Sequence, residues 1–182
     1  LNLINQLLEF RKIESGTINL ITQKGDLISF IEELAGLFKS LADKKKISLI
    51  IDSANHEFHL SYFDPDKIEK IVYNLLSNAF KYTPKGGQIE VRFGLTRTPA
   101  RFTGSKLTDT FFKISVIDNG EGISEKNLKQ IFDRYFSDES GSKYALENTG
   151  IGLSYVKDLV TAHGGTIDVY SKPGEGTKFD VY

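Results

Sequence analysis

Apolar positions along the chain fall into helical and alternating periods that predict most of its elements. Leu1, Ile4, Leu8 and Arg11 follow one helical row, with Leu3, Leu7, Phe10 and Ile13 beside it. They predict a helix over residues 1–15 that stops at Gly16. That helix is too apolar to stand alone in water; it packs on a partner helix, from a second chain for example, or on its own domain. Asp26 is a suitable N-cap for a second helix running to about Lys44, with Leu27, Phe30, Ile31, Leu34, Leu37, Phe38 and Leu41 in period. Ile47–Ile51 and Phe58–Tyr62 predict short strands around a polar turn at Asp52–Glu57. Asp64-Pro65 opens a third helix that should reach Tyr82 and stop before Pro84.

Further along, Lys85-Gly86-Gly87 predicts a turn, and Ile89, Val91 and Phe93 alternate as a strand. Gly94–Thr108 is polar and predicts a long loop; Phe111–Ile117 predicts the next strand, ending at Asp118. A short helix is expected over Glu125–Phe132, and Ser137–Thr149 predicts a mobile loop because it offers almost no apolar anchor. Glycines open a helix over Ile151–Ala162, and a Pro-Gly-Glu-Gly turn joins strands at Thr166–Tyr170 and Thr177–Tyr182. No internal repeat is visible. The order predicts an α+β fold: a two-layer α/β sandwich with a mixed β-sheet and helices on one face, preceded by an N-terminal helix.

Composition narrows the function classes. With 182 residues, 40% hydrophobic and 26% charged, the chain suits one domain with a short appendage. A net charge of -1 supplies no basic field to recruit nucleic acid, so none is expected to bind. No apolar run approaches the roughly 18–20 residues that span a bilayer, and no secretory signal is visible. The absence of Cys excludes a disulfide frame or a thiolate metal site and suits a cytosolic setting. A start at Leu1 and a lack of Met suggest a piece of a longer polypeptide.

Three constellations carry candidate chemistry. On the third helix Asn74, Asn78, Lys81 and Tyr82 span about 100° of the surface beside the apolar stripe. Carboxamide oxygens suit a hard cation such as Mg2+, Lys81 can neutralise a phosphate, and Tyr82 offers a face or hydroxyl to a base. Taken alone, solvated polar residues explain that stripe somewhat better. Asp118-Asn119-Gly120-Glu121-Gly122 places a carboxylate at a strand end with room for close approach. A carboxylate only accepts hydrogen bonds, so it suits the exocyclic amino group of adenine and rejects the guanine carbonyl. An ordinary Asp-Asn-Gly turn is the plain alternative. Gly150-Ile151-Gly152-Leu153 opens a helix whose free amides and dipole favour an anion, though a glycine-led start alone is weak. It is no Walker loop, because no Gly-Lys-Ser/Thr follows. His163 closes a helix, where it caps carbonyls, and His56 and His59 lack a ligand set.

In this order the motifs resemble the ATP-binding catalytic domain of sensor histidine kinases, within the gyrase-type ATPase superfamily. The resemblance covers about residues 25–182. Asn74–Pro84 resembles the N box, Asp118–Gly122 the first glycine box, Ile131–Phe136 the F box and Gly150–Leu153 the second glycine box; Gly174–Thr177 resembles the closing turn. The resemblance implies ATP and Mg2+ as cofactors. It implies that Asn78 binds the metal, that Asn74 lines the same metal-phosphate site, and that Lys81 reaches the phosphates. Tyr82 would pack at the adenine, Asp118 would bond its amino group, and Gly120 and Gly122 would shape that pocket. Gly150, Gly152 and Leu153 would lie at the phosphates, Arg134 would approach the terminal one, and Ser137–Thr149 would form a lid. Asn148 departs from the glycine that many relatives carry there, and the loop at Arg97–Leu107 is long for the family.

Residues 1–16 resemble the end of a dimerisation helix, leaving 17–182 as the catalytic domain. The implied function is transfer of the ATP γ-phosphoryl group to a histidine on a dimerisation domain, absent from this chain, for relay to a response regulator receiver aspartate. The implied partners are that dimerisation and histidine phosphotransfer domain, the receiver domain, and a second copy in a full-length homodimer. The implied location is the cytoplasmic side of a membrane-bound sensor. In the hydrolysing gyrase-type relatives, the resemblance implies a Glu general base where this chain has Asn74, and Asn cannot accept a proton from water.

Overall fold

The computed structural model describes residues 18–53, 60–97, 110–136 and 150–182. The expected N-terminal helix, both His56 and His59, most of the 94–108 loop and the 137–149 lid lie outside the described residues.

The chain enters through strand β1 (Gln23–Asp26) and turns at once into helix α1 (Leu27–Gly36). Asp26 caps this helix, accepting from the Ile28 amide at 3.1 Å and from the Ser29 hydroxyl at 2.6 Å. Helix α2 (Lys39–Lys45) follows, then strands β2 (Ser48–Ser53) and β3 (Leu60–Phe63). The single long helix expected over residues 26–44 is therefore two helices. At the break the Leu37 amide is shared between the Glu33 and Leu34 carbonyls, and the Phe38 amide turns to Ala35. This tightening from i−4 to i−3 bonding follows Gly36, a poor helix former.

Helix α3 (Pro65–Tyr82) is the longest helix described. The Asp64 carboxylate caps it from the Lys67 amide at 3.2 Å, and Pro65 stands in the first turn. Strands β4 (Gln88–Arg97) and β5 (Thr110–Asp118) follow. β4 extends through Gly94–Arg97, beyond the expected strand, because pairing with β5 continues from Gly94 opposite Lys113 to Arg97 opposite Thr110. The expected helix at 125–132 shortens to α4 (Glu125–Leu128), capped by Ser124, and gives way to turns. Helix α5 (Gly152–Ala162) and the hairpin of β6 (Ile167–Lys172) and β7 (Gly176–Val181) complete the chain.

The main sheet has five strands in the order β2-β4-β5-β7-β6; β2 is parallel to β4 and every other pair is antiparallel, so the sheet is mixed. β1 and β3 form a separate two-stranded ribbon, and β1 was not foreseen. One face of the main sheet carries Ile89, Val91 and Phe93 opposite Asp118, Val116 and Ile114, which in turn face Thr177, Phe179 and Val181. These side chains are buried under the helices, and α3 packs between α1 and α5. Ile68, Ile71, Val72, Leu75, Leu76, Ala79 and Phe80 form the buried stripe of α3, with Phe80 stacked on Phe38 at 5.5 Å. The opposite face is mostly polar, with Ile50, Ile117 and Tyr170 among charged residues. There Asp180 is buried and accepts from the Ser115 hydroxyl at 2.6 Å, with Lys178 at 2.9 Å and Lys113 at 3.0 Å. Burial works to raise its carboxyl, but those three partners outweigh it and hold it below the ordinary carboxylate value.

Candidate functional site

Two contacts tie the separate motifs to one helix. Near the middle of α3, Asn74 donates from Nδ2 to the Lys70 carbonyl at 2.7 Å, which leaves Oδ1 as its outward acceptor. That oxygen faces Gly152 in the first turn of α5, where an added Cβ would stand 3.0 Å from it. At the C-terminal end of α3, the Tyr82 carbonyl accepts from the Glu121 amide at 3.3 Å and lies against Gly120, where any Cβ would collide with it. Asn74 and Tyr82 are eight residues apart, about 12 Å of helix. One helix face thus joins the glycine-led start of α5 to the Asp118 turn. Asn78, Lys81 and Tyr82 lie half-buried along it, and the Lys81 ammonium sits 5.8 Å from the Tyr82 ring centre.

The Asp118 end is fixed from several sides. Asp118 is 9% exposed and accepts from the Gly120 amide at 2.9 Å. Burial raises its carboxyl above the ordinary value, and the Gly120 and Thr177 amides partly oppose that rise. Asn119 pins the turn to β4, accepting from the Gln88 amide at 2.7 Å. Gly122 has φ of +70° and touches the Lys172 carbonyl so closely that no side chain fits. Gly176 lies equally close to the Asp118 carbonyl. A groove at this edge of the sheet is lined from both strand faces, by Asp118, Ser171 and Thr177 and by Ile117, Tyr170 and Lys178.

At the other end, no side-chain cap hydrogen bond from Ile151 opens α5 among the described residues. Gly150, at φ +65°, accepts from the Tyr135 amide at 3.0 Å and packs on that residue's backbone. Leu153 is half-buried in the first turn. Arg134 is partly exposed and lies 3.6 Å from Asp158 on α5. The structure therefore brings Gly152 and Gly120 against α3, which carries Asn74, Asn78, Lys81 and Tyr82, and keeps Asp118 and Gly122 in the turn at its C-terminal end. It sets Arg134 apart, beside the second turn of α5.

Sequence reasoning passed over Asn119, Ser171 and the second use of Asp64. The Asp64 carboxylate also accepts from the Ile21 amide at 2.8 Å, which ties the entering segment to the start of α3. Ser171 and Thr177 alternate with outward residues on their strands, but only the register places them beside Asp118.

Comparison with known proteins bears on the family and the fold. The model of the histidine kinase-, DNA gyrase B- and HSP90-like ATPase family matches residues 63–182. The chain is 34% identical over its whole length to "Histidine kinase P4" of Formosa agariphila, of which it spans 12%. It is 35% identical, over 98% of its length, to "Sensor histidine kinase TmoS" of Ectopseudomonas mendocina, of which it spans 17%. The chain thus corresponds to a small part of each relative. Among solved structures, full-length ShkA in complex with AMPPNP superimposes with a TM-score of 0.78 at 23% identity, covering 99% of this chain and 34% of that one. The catalytic domain of histidine kinase ThkA gives 0.70 at 23%, covering 89% and 96%. These two structures establish the shared fold.

Proposed function

The chain belongs to the histidine kinase-, DNA gyrase B- and HSP90-like ATPase family, and from that premise we propose that it binds ATP with Mg2+ along α3 as the catalytic domain of a sensor histidine kinase. In the intact protein it transfers the γ-phosphoryl group to a histidine on a dimerisation domain. That histidine then supplies a receiver-domain aspartate. The observation that carries this reading is the joining of Asn74 to Gly152 and of Tyr82 to Gly120 on one helix face. The base binds at the Asp118 end and the phosphates at the α5 end.

The residues divide the work by chemistry. Asp118 accepts from the base amino group, Gly120 and Gly122 leave room for the ring, and Tyr82 flanks it. Lys81 neutralises phosphate charge, and Gly150, Gly152 and Leu153 present backbone at the start of α5. Arg134 joins the terminal phosphate by exchanging its Asp158 contact for it. Asn74 and Asn78 fit Mg2+ because both offer neutral oxygen donors, and the Lys70 bond leaves the Asn74 oxygen outward. Held there, Mg2+ would supply neutralisation of developing phosphate charge. The protein contributes positioning and electrostatics rather than covalent chemistry.

Phosphotransfer is favoured over hydrolysis because Asn74 cannot act as a general base. His163 is also a poor acceptor: its Nδ1 lies 2.8 Å from the Leu159 carbonyl and its Nε2 is buried. It closes a helix that starts at the phosphate end, about 15 Å away. The domain works on the cytoplasmic side of a membrane-bound, homodimeric sensor. No helix among the described residues is long and apolar enough to cross a membrane. The test is to mix the chain and γ-labelled ATP with a longer version that has a disabled nucleotide site and an intact acceptor histidine. Acid-labile label should appear on the added protein. Stoichiometric labelling of the 182-residue chain itself, lost on substituting His56, His59 or His163, would overturn the reading.

A further inference from the structure

We propose that Ser171 is a specificity-determining positioning residue that fixes the Thr177 hydroxyl as an acceptor. Thr177 thereby joins Asp118 in selecting a purine with an amino group at its six position. This inference rests on the nucleotide reading of the Asp118 end.

The argument begins with register. Ile89, Asp118, Thr177 and Ser171 stand side by side across β4, β5, β7 and β6. The row lies on the helix-covered face, one step from Val91, Val116, Phe179 and Val169. Cross-strand neighbours bring their Cβ atoms within about 4.5–5.5 Å, so Asp118 and Thr177 can address one ligand group.

Proton bookkeeping then sets the polarity. A serine hydroxyl has one hydrogen and two lone pairs. The Ser171 oxygen lies 2.7 Å from the Gly176 carbonyl, which can only accept, so Ser171 spends its hydrogen there. The Ile123 amide donates to the same oxygen at 2.8 Å and takes one lone pair. Thr177 Oγ1 lies 2.9 Å from that oxygen. With the serine hydrogen committed, Thr177 must be the donor, into the remaining lone pair. All the capacity of Ser171 is then used. Thr177 has no hydrogen left and offers only lone pairs to a ligand.

Asp118 is likewise acceptor-only while ionised. Two neighbouring acceptors suit an amino group, which has two diverging hydrogens. They oppose a six-oxo purine, whose oxygen would face oxygen on both strands. Without Ser171, Thr177 could turn its hydrogen toward such an oxygen. Ser171 acts through Thr177 and need not touch the nucleotide. A merely structural Ser171, closing the β6–β7 turn and holding the Ile123 amide, would affect all nucleotides alike.

Calorimetry with ATP·Mg2+ and with inosine triphosphate·Mg2+ separates these cases. The readout is the affinity ratio for the native chain, Ser171→Ala, Thr177→Val and the double variant. Ser171→Ala should lower the ATP preference by about tenfold, the scale of one hydrogen bond reversed from clash to contact. In the Thr177→Val background the same substitution should leave the ratio unchanged, because no hydroxyl remains to reorient. Ser171→Thr, which keeps a hydroxyl, should restore the native ratio and serves as the folded reference if Ser171→Ala is unstable. An unchanged ratio in Ser171→Ala overturns the proposal, as does an equal change in both backgrounds. A native chain that binds ATP selectively while Ser171→Ala leaves the ratio intact sinks only this inference. A native chain with no ATP affinity sinks the nucleotide reading itself.

Discussion

Gly152→Ala should leave the fold intact while weakening nucleotide binding, a split that isolates the Asn74 contact. Among the described residues the new Cβ would meet Asn74 Oδ1 at 3.0 Å and, beyond that, only Asn74 Cγ at 4.0 Å. Gly152 does not have the positive φ that Gly150 has, so alanine meets no backbone strain there. Relief requires the Asn74 oxygen to move by a few tenths of an ångström. That side chain is anchored through Nδ2 on the Lys70 carbonyl at 2.7 Å, so the carboxamide must swing about the anchor or leave its rotamer. Either adjustment costs about 0.5–1.5 kcal/mol. The better helix propensity of alanine, up to about 1 kcal/mol, offsets the cost in folding. It does nothing for a ligand that needs the oxygen in place. The thermal midpoint should therefore hold or rise, while ATP·Mg2+ affinity falls by roughly fivefold to tenfold. Calorimetry on Gly152→Ala, Asn74→Ala and the double variant reads the effect. If Gly152→Ala costs as much affinity in the Asn74→Ala background as in the native one, the two residues are not coupled and the reasoning fails.

Three further expectations follow from the same geometry. Burial raises the Asp118 carboxyl above 3.8, so its ionised form costs folding stability at neutral pH, a cost relieved as pH falls through the raised value. ATP affinity should fall over that same window as the acceptor is protonated; Asp118→Asn should weaken binding by about 1–3 kcal/mol and remove the pH dependence, and a native pH profile no different from that of Asp118→Asn would contradict it. Asp180 has the opposite sign: its lowered carboxyl stabilises the fold above 3.8, and that contribution is lost as pH drops below this value. Denaturant unfolding should show Asp180→Asn costing about 1–3 kcal/mol at neutral pH with ATP affinity unchanged, since Asp180 lies on the face away from α3. Asp64→Asn should keep the α3 cap but lose the Ile21 bond, speeding amide exchange at Ile21, whereas Asp64→Ala should also cost about 1–2 kcal/mol; unchanged exchange at Ile21 would refute the tether.

Helix α3 was legible because three independent signals agree: the Asp64 cap, the apolar stripe from Ile68 to Phe80, and Pro84 beyond its end. The inner strand positions Ile89, Val91 and Phe93 were legible from alternation. The break after Gly36 was not, because apolar residues continue in period through Leu37, Phe38 and Leu41 while the change lies in backbone bonding. β1 was hidden for a different reason. Gln23-Lys24-Gly25-Asp26 has no apolar alternation; pairing with β3 and the close fit of Gly25 on the Phe63 ring define it. At the candidate site, motif order singled out Asp118 and Gly152, but only register could bring Thr177 and Ser171 beside Asp118. The Arg134 contact with Asp158 depends on how the 131–136 turns meet α5, which no local pattern encodes.

Backbone amide resonances recorded while the chain is titrated with ATP and Mg2+ test the central claim most directly. Signals from Asn74–Tyr82, Asp118–Gly122 and Gly150–Leu153 should move together, with one dissociation constant, and GTP should leave them in place. Movement confined to the outer sheet face at Lys113 and Lys178, or equal responses to ATP and GTP, would contradict an adenine nucleotide site along α3.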